Sequence, residues 1–596
     1  MEWVALATCA AAGVSLLGWV ILRCRFGFDF TDEGFYLNWI SNPWNYQVSV
    51  FQFGFVYHPL YKLVGGDIAL LRQINVSIIF ALSCVLCIVL VRSLCWNWTA
   101  FRPSQRAGFV GVAVAVASSS LAFFDLWLPT PNYNSLAFQA VIIVAIGGLL
   151  ANRKLSKGGI AGWILIGIGG GLAFLAKPTT AVMLGCMIAG YIVVAGKFAL
   201  RGVLVSLATA TLFLVISGLA IDGSLSGFLR RLTEGLDMIN QLDSRSNHLF
   251  RWDDYDLSHK QKTRFDYVLI VTYVSATLGF LANGRARLAA ASVAAFLAGM
   301  SIATIAGVLS PKIYYEPFQP MVFWAISFGI VLSSMIVRSH RSLSRNSLAL
   351  IVLFIILPYA YAFGTNNNLW TAASRAALFW MLAGFVVSVE LAAENGAWRM
   401  LLPAAAAALL VSTVILYVAM ENPYRQTQPL RLQASAVEIN RERSTLFLTD
   451  ETASYVHDIY RLANENGFRT GEPVLDLTGT SPGSLYVIGA RPLGAAWMLG
   501  GYSGSNIFLT TALDQETCES IGASWILTEP SSRDSFPPGL LQRFGIDMDR
   551  DYLDVGSVSS VRSFFPMKFE HRFFKPTRSL NVARLACEEA RRMDRR

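Results

Sequence analysis

The sequence predicts an α-helical polytopic membrane protein with a small α/β domain outside the bilayer. Its 596 residues are 54% hydrophobic and only 15% charged, whereas about a quarter of the residues of a soluble protein are charged. The hydrophobic residues also come in runs of roughly 17–22, the length that crosses about 30 Å of hydrocarbon. About thirteen such runs occur before residue 421 and none after it. The chain therefore divides into a membrane domain, 1–420, and a C-terminal domain, 421–596.

The predicted spans leave loops that alternate in charge. Lys and Arg are concentrated in every second short loop, for example at 153–157, 197–201 and 338–345, and the loops between them carry almost none. Because basic loops stay on the cytoplasmic side, we expect the first loop, 23–73, the loop 222–265 and the C-terminal domain to lie outside the cytoplasm. The predicted spans are 3–22, 74–95, 108–124, 136–151, 160–176, 179–195, 203–221, 266–282, 288–308, 321–337, 347–363, 376–393 and 400–419.

Charge and cysteine content limit the partners. The net charge of +9 is largely explained by the basic cytoplasmic loops, so it indicates no nucleic-acid ligand. Cys84 and Cys87 form a C-x-x-C pair inside a hydrophobic run, without a neighbouring His or second pair, which favours packing over metal or redox chemistry. Cys518 and Cys587 are the two cysteines of the C-terminal domain, where a disulfide is chemically allowed. The sequence alone does not say whether they pair.

The C-terminal domain, 421–596, alternates short hydrophobic runs with one clear helical pattern. The runs at 445–448, 473–477 and 524–528 are typical of strands. Hydrophobic residues at helical spacing predict a helix over 453–466. Alternating strands and helices favour a small α/β domain, and about 175 residues are enough for a core of its own.

The first span is predicted to remain in the mature protein. It lacks a basic N-terminal region, and Arg23 and Arg25 follow it in place of a small-residue cleavage site. These two arginines lie on the predicted outer side, in the same short stretch as Asp29 and Asp32. They could balance the acidic residues or hold an anion.

The first outer loop contains the main candidate site. Residues 28–34, Phe-Asp-Phe-Thr-Asp-Glu-Gly, place Asp32 and Glu33 just after the first span, where charge is costly unless something binds there. Farther along, polar residues such as His58 and Lys62 alternate with aromatic ones, as in a segment at the membrane interface. His58 and Lys62 could equally be solvated surface residues, whereas the acidic pair favours a function.

The second outer loop offers groups that suit sugar hydroxyls. It contains another carboxylate, Asp125, which is a further candidate catalytic residue, and two prolines stiffen it before the polar turn Asn132, Tyr133 and Asn134. The alternative is an ordinary helix-connecting turn, since Pro and Asn are common turn residues. Lys177 lies where two later spans meet at the outer face, and it could either snorkel or bind a phosphate at headgroup depth.

Two further outer loops combine a cation with aromatic or amide groups. Each could also be a plain connection between spans. The residues that could line a sugar-phosphate cavity are Lys312, Tyr314 and Tyr315 in one loop, and Asn367, Trp370 and Arg375 in the other.

The acidic pair in the first outer loop resembles the signature of the GT-C glycosyltransferases, which use polyprenyl-phosphate-linked sugars. This superfamily includes protein O-mannosyltransferases and the bacterial aminoarabinose and arabinofuranosyl transferases. About thirteen spans, a large first loop and an outer C-terminal domain are similar to the last two groups. The resemblance covers the architecture of residues 1–420. Its specific local features are Asp32 with Glu33 and, less specifically, Asp125 and the Leu-Ala-Lys-Pro-Thr stretch around Lys177.

The resemblance implies transfer of a sugar from a polyprenyl-phosphate donor to an envelope glycan, lipid or protein, with inversion at the anomeric carbon. An acceptor hydroxyl is a poor nucleophile, so a carboxylate must take its proton. We expect Asp32 to be this base and Glu33 to orient it or to bind acceptor hydroxyls. The departing phosphate needs cations or a divalent metal such as Mg²⁺ or Mn²⁺ with unknown ligands. The candidate phosphate-binding residues are Lys177, Arg25, Lys62, Lys312 and Arg375.

Two other classes of function compete with this interpretation. A flippase or transporter of lipid-linked sugars would usually place ionisable residues near the bilayer midplane and show repeated halves. The predicted spans are mostly free of charge, no repeat is evident, and the polar groups collect at one face. A non-catalytic polymer-binding or sensory protein would not need acid–base carboxylates at the membrane surface.

Overall fold

The chain folds as a helical membrane domain followed by a mixed α/β domain. The fold is taken from a computed structural model. The residues it describes are 1–95, 98–242, 270–275, 277–278, 287–311, 319–337, 343–365, 367–439, 444–560 and 569–594.

The membrane domain consists of helices joined by short turns. A 3₁₀ segment, Ser118–Phe124, continues the fifth helix. The helices are α1 Glu2–Arg23, α2 Asp32–Ser41, α3 Phe53–Leu63, α4 Ile68–Leu94, α5 Pro103–Ala117, α6 Tyr133–Leu150, α7 Lys157–Ala176, α8 Pro178–Val194, α9 Leu200–Asp222, α10 Leu225–Leu242, α11 Arg287–Ile305, α12 Val322–Val337, α13 Arg345–Ala362, α14 Leu369–Ser374, α15 Leu378–Asn395 and α16 Leu402–Glu421.

The polytopic class is confirmed. Within the described ranges, nine helices are long and hydrophobic enough to cross a membrane, and three shorter hydrophobic helices coincide with further predicted spans. The predicted span 266–282 lies mostly outside the described residues, so the count of about thirteen stays a prediction.

The helices differ in how much of their surface the protein covers. In α6, 78% of the residues in the most hydrophobic window are buried inside the protein, whereas in α9 the value is 11%. Without a hydrophobic driving force between spans, a hydrophobic helix can face lipid tails at no cost. The helix α6 is therefore central and α9 peripheral, and α6 begins beside the candidate site.

The C-terminal domain contains a β-hairpin and a five-stranded mixed sheet. The sheet has the order β4-β3-β5-β7-β6, with β3 parallel to β4 and β5, and β7 antiparallel to β5 and β6. The strands are β1 Ser435–Ile439, β2 Ser444–Leu448, β3 Pro473–Asp476, β4 Arg491–Pro492, β5 Trp525–Thr528, β6 Tyr552–Ser560 and β7 Phe569–Pro576. The helices are α17 Asp450–Glu465, α18 Pro482–Val487, α19 Ser505–Asp514, α20 Cys518–Gly522, α21 Met548–Asp551 and α22 Leu580–Asp594.

The predicted α/β character of this domain is confirmed. The three predicted strands correspond to β2, β3 and β5, and the predicted helix corresponds to α17. Cys518 and Cys587 form a disulfide that joins α20 to α22 across a separation of 69 residues.

The C-terminal domain packs directly on the loop that carries the acidic pair. The start of α2 contacts the start of α18, where a Cβ on Gly34 would overlap the backbone of Gly483. Asn38 donates a hydrogen bond of 2.9 Å to the carbonyl of Pro482. Glycine at position 34 is thus required for this close approach, and α18 fixes the position of α2.

A second contact joins the two domains farther back in the same loop. The backbone N–H of Gly27 donates to the carbonyl of Phe447 at 3.0 Å, and the N–H of Phe447 donates to the carbonyl of Arg25 at 2.9 Å. The loop before α2 therefore pairs with β2 of the C-terminal domain.

Candidate active site

The turn before α2 is organised by Asp29. Its Oδ1 accepts hydrogen bonds from the backbone N–H and the hydroxyl of Thr31 at 3.2 and 2.8 Å, and its Oδ2 accepts from the N–H of Glu33 at 3.2 Å. Burial, together with the charge of Asp32, raises the pKa of Asp29 to about 7, and Arg425 opposes the shift. Asp29 is therefore a buried capping residue for the first turn of α2.

Glu33 lies in a closed ion pair below this turn. Arg72, on α4, donates to both carboxylate oxygens at 2.6 and 2.7 Å, and the hydroxyl of Thr130 donates to Oε1. The same guanidinium also donates to the carbonyls of Cys24 and Gly27 at 2.8 and 2.9 Å. The two side chains are only 2% and 3% exposed. This arrangement ties α1, α2 and α4 together. The roles predicted for Glu33, orienting Asp32 or binding acceptor hydroxyls, stay predictions.

Asp32 differs from its neighbour in exposure. Its side chain is 23% exposed, and its Oδ2 accepts a hydrogen bond of 3.0 Å from Arg425. Its Oδ1 lies 3.5 Å from the hydroxyl of Tyr36, one helical turn later. The side chain of Tyr424 also hydrogen-bonds to Asp32. Asp32 is thus held by three groups while part of its carboxylate stays accessible, which is the arrangement that a base acting on a bound substrate needs.

A second cluster gathers Asp125, Lys177 and Arg375. Nε of Arg375 lies 3.7 Å from Oδ1 of Asp125. Burial raises the pKa of Asp125 to about 6, and Arg375 opposes the shift. Burial lowers the pKa of Lys177 to about 7, and the charge of Arg375 adds to this effect. Oδ1 of Asp125 is buried and accepts no hydrogen bond from the described residues, which is uncommon for a buried polar atom.

Two tyrosines connect the clusters. The rings of Tyr36 and Tyr133 meet edge to face with centroids 5.9 Å apart. The Nζ of Lys177 lies 5.5 Å from the centre of the Tyr133 ring and 4.8 Å from that of Tyr361. A continuous series of contacts therefore runs from Asp32 through two phenols to Lys177. The structure brings together residues that are far apart in the sequence.

The polar turn of the second outer loop has mainly a local role at Asn132. Its Oδ1 caps α6 by accepting from the backbone N–H groups of Asn134 and Ser135 at 2.8 and 2.9 Å, and its Nδ2 donates to the carbonyl of Thr130 at 2.9 Å. Tyr133 stacks on Phe51 at 4.7 Å. Asn134 is half-buried. The sugar-binding roles predicted for Asn132, Tyr133 and Asn134 stay predictions.

Other residues predicted for the first loop lie away from the two clusters. Arg25 and Lys62 are exposed. Nδ1 of His58 hydrogen-bonds to the carbonyl of Ile40 at 2.8 Å, and its ring packs edge to face on Trp44 at 5.1 Å. These contacts stabilise the turn between α2 and α3. The ligand-binding roles predicted for Arg25, Lys62 and His58 stay predictions.

The loop before α14 approaches the second cluster from another side. Asn367 is exposed, and its Oδ1 accepts from the backbone N–H of Asn368 at 2.7 Å. Trp370 packs edge to face on Tyr359 at 5.6 Å. Arg375 follows α14 directly, so this short helix sets the position of its guanidinium. The predicted residues Lys312, Tyr314 and Tyr315 lie outside the described residues.

Sequence reasoning missed two arginines that hold the acidic pair. Arg72 is the partner of Glu33, and Arg425, in the Pro-Tyr-Arg turn after α16, is the partner of Asp32. Arg425 has a positive φ of 53°, which is uncommon for a residue other than glycine. A basic residue directly after the last span, on the predicted outer side, was the signal that could have pointed to it.

The described residues contain no preformed metal site. Among the described residues, no group of three or more His, Cys, Asp or Glu side chains is arranged to hold a metal ion. Asp125 alone does not form a metal site. The possible divalent cation stays a prediction.

Fold and site together define a polytopic membrane protein with paired acidic and basic clusters at the surface where its C-terminal domain docks. No protein-family model matches the sequence. No curated protein matches it either. Among solved structures, the chain is similar to ArnT from Cupriavidus metallidurans in the apo state, with 11% identity over 95% of this chain and 97% of that chain and a TM-score of 0.43. It is also similar to the same protein bound to undecaprenyl phosphate, with 12% identity over 96% and 98% and a TM-score of 0.41. At these values the likeness alone establishes no activity.

Proposed function

We propose that this protein is a membrane glycosyltransferase that moves a sugar from a polyprenyl-phosphate donor to an envelope glycan, lipid or protein. The observation that carries the proposal is the contrast within the acidic pair. Glu33 is sealed in an ion pair, whereas Asp32 keeps 23% of its side chain exposed beside a cluster of cations and phenols. An accessible carboxylate next to a cationic pocket is what transfer from a phosphate-linked sugar requires.

In this proposal Asp32 acts as the general base. The acceptor hydroxyl donates a hydrogen bond to the accessible edge of Asp32, its oxygen attacks the anomeric carbon, and its proton passes to the carboxylate. The bond from the anomeric carbon to the phosphate oxygen breaks, and the configuration at the anomeric carbon inverts. Arg425 and Tyr36 hold the carboxylate in one orientation during this step.

The leaving phosphate is assigned to Lys177 and Arg375. Lys177 has its amino group between the rings of Tyr133 and Tyr361 and is buried, and Arg375 lies beside Asp125. Positive charge held in a pocket of low polarity stabilises the negative charge that develops on the phosphate. Binding of the phosphate also favours the charged form of Lys177, which burial disfavours.

A polyprenyl tail fits the position of this cluster. Lys177 lies in the turn between α7 and α8, directly at the end of a helix long enough to span the membrane. A phosphate bound at this depth leaves its lipid tail free to lie along the spans. Undecaprenyl phosphate, the molecule bound in the second ArnT structure, belongs to this chemical class.

We infer that the site and the C-terminal domain face away from the cytoplasm of a bacterial inner membrane. The basic loops of the opposite side support this orientation. The disulfide between Cys518 and Cys587 supports it as well, because disulfides persist outside the reducing cytosol.

The test replaces the proposed base. Envelope glycans and glycolipids of cells with and without the protein are first compared by mass spectrometry, and a sugar missing from one polymer identifies donor and acceptor. With these, Asp32→Asn is expected to lower transfer by roughly 10²- to 10⁴-fold while donor binding is retained. Asp67→Asn is the matched control, because Asp67 caps α4 in the same loop and Asn caps helices about as well.

The same experiment separates the proposal from a flippase. A flippase needs no base, so unchanged glycan output from Asp32→Asn would overturn the assignment of Asp32. Movement of the lipid-linked sugar across the membrane without any transfer to an acceptor would overturn the proposal that the protein is a glycosyltransferase.

A further inference from the structure

The C-terminal domain contains a series of buried polar side chains that starts at its five-stranded sheet. Glu529 directly follows β5 and His571 lies on β7, with Oε1 of the glutamate 3.3 Å from Nε2 of the histidine. The other ring nitrogen of His571, Nδ1, lies 2.7 Å from the hydroxyl of Tyr455, on α17. That hydroxyl lies 2.6 Å from Oγ of Ser484, on α18. We refer to these four residues as the buried polar chain.

The buried polar chain constrains the elements that carry it. All four residues are at most 3% exposed, and a polar group removed from water costs free energy unless it finds a partner. The hydroxyl of Ser560, at the end of β6, supports Glu529 by donating to its Oε1 at 3.0 Å. Hydrogen bonds in such an interior are strong, and a different arrangement would leave buried groups unpaired. The buried polar chain therefore fixes α18 relative to the sheet.

The helix α18 in turn holds the first outer loop. The backbone N–H of Gly483, next to Ser484, donates to the carbonyl of Phe30 at 2.8 Å. The ring of Phe30 also packs edge to face on the ring of Tyr455, with centroids 5.3 Å apart. Phe30 precedes Asp32 by two residues. Two short routes thus connect Tyr455 to the proposed base, one through its hydroxyl and one through its ring.

The backbone at Asp32 and its carboxylate are thus held from different sides. Arg425 and Tyr36 contact the carboxylate itself, whereas the contacts at Phe30 act on the chain just before it. A reacting group that is misplaced by about 1 Å can lose roughly 10²-fold in rate. Correct placement of the backbone therefore matters as much for a base as the orientation of its side chain.

We propose that Tyr455, held by His571, is a positioning residue for Asp32. The inference rests on the proposed function and adds to it that the C-terminal domain takes part in the transfer step by fixing the base. Tyr455 contacts neither donor nor acceptor in this scheme, because it acts through α18 and Phe30. Loss of its hydroxyl should therefore lower kcat and leave substrate binding unchanged.

The test removes the hydroxyl of Tyr455 and keeps its ring on Phe30. The variants are Tyr455→Phe and Ser484→Ala, which breaks the same route at α18. Tyr552→Phe is the matched control, because Tyr552 is a buried tyrosine of the same domain whose hydroxyl donates instead to a backbone carbonyl, that of Ser524, at 3.0 Å. The full-length protein is supplied with varied amounts of the polyprenyl-phosphate fraction and of the glycan and glycolipid fraction extracted from cells lacking it. The kcat per folded protein and the KM for each fraction are measured.

Tyr455→Phe and Ser484→Ala are expected to lower kcat about tenfold, while the KM for each fraction stays within about twofold of the unmodified protein. Tyr552→Phe should keep the kcat of the unmodified protein, even where it lowers the melting temperature as much. If Tyr455→Phe does not fold, Ser484→Ala decides alone.

Three results would overturn the positioning role: an unchanged kcat in the folded variants, a higher KM with kcat retained, or an equal loss of kcat in Tyr552→Phe. Lack of transfer by the unmodified protein would instead overturn the proposed function, and the positioning role with it.

Discussion

Asp32 and Glu33 are adjacent and chemically similar, yet the fold treats them in opposite ways. Glu33 meets Arg72 inside the helical bundle, with both side chains almost fully buried. Asp32 meets Arg425 at the boundary between the two domains, where both side chains keep about a quarter of their surface exposed. The first pair is closed on all sides by protein, and the second borders open space.

The difference shows how a chain can separate structure from chemistry within two residues. A buried carboxylate needs every hydrogen bond satisfied, so the partners of Glu33 leave no room for a substrate. A partly exposed ion pair contributes little to stability, so Asp32 can exchange contacts at small cost. The closed pair fixes the turn, and the open pair keeps part of a carboxylate accessible.

The largest effect is expected from breaking the closed pair. Arg72→Met leaves the charge of Glu33 buried without its partner, which should lower the free energy of unfolding by about 3–5 kcal/mol. Thermal unfolding of the detergent-solubilised protein measures the loss. The double variant Glu33→Gln with Arg72→Met is the control and should recover part of it, because no unpaired charge remains. A small loss of unfolding free energy in Arg72→Met alone would show that the ion pair between Arg72 and Glu33 contributes little to the stability of the fold.

The next largest effect concerns the cation assigned to the donor. Lys177→Met removes a buried charge beside two phenols and should raise the donor KM roughly 10- to 100-fold, the range of a charge-assisted hydrogen bond. Lys62→Met is the matched control, since Lys62 is exposed, and it should change the donor KM less than twofold. Steady-state kinetics of sugar transfer measure the donor KM of both variants. Equal effects of the two substitutions would show that the donor phosphate does not bind at Lys177.

A smaller effect is expected in the pH dependence of stability. The pKa of Asp29 is raised from 3.8 to about 7 by burial, so the folded state holds a proton that the unfolded state releases. Stability should therefore fall as pH rises from about 4 to 7, by at most about 1.4 kcal/mol per pH unit. Asp29→Asn should flatten this slope, as measured by denaturant unfolding across that range. An identical slope in the variant would assign the proton to another group, such as Asp125.

The smallest effect on stability is expected from the open pair. Arg425→Gln should change the free energy of unfolding by less than about 1 kcal/mol, because the ion pair is partly exposed. Transfer should nevertheless fall, since Asp32 loses one of the groups that orient it. Comparing unfolding and transfer in the same preparation tests the contrast directly. A loss of stability as large as that of Arg72→Met would remove the distinction between the two pairs.

Much of the fold was predictable from the sequence because hydrophobic length and period are local signals. The runs that became α1, α4 and α16, and the strands β2, β3 and β5, are visible in short windows of the chain. The partners of the acidic pair are not local. Arg72 is 39 residues from Glu33 and Arg425 is 393 residues from Asp32, and no spacing rule connects such residues.

The cations of the site show the same limit. Arg25 and Lys62 are near the acidic pair in the sequence, and the fold leaves both exposed. Lys177 and Arg375 are far away in the sequence, and helix packing brings them to the two phenols that lead to Asp32. Sequence proximity was therefore a poor guide to which cation can reach the site.

The close contact of Gly34 with Gly483 has a consequence for the order of events in the cell. Chains are made from the N-terminus, and domains generally fold as units during synthesis. The surface that supports α2, including the carbonyl that Asn38 binds across 444 residues, is therefore made long after α2 itself. Until then the nascent chain carries its acidic pair without the segment that positions it. The geometry around Asp32 should thus be complete only when this part of the C-terminal domain has been translated and docked.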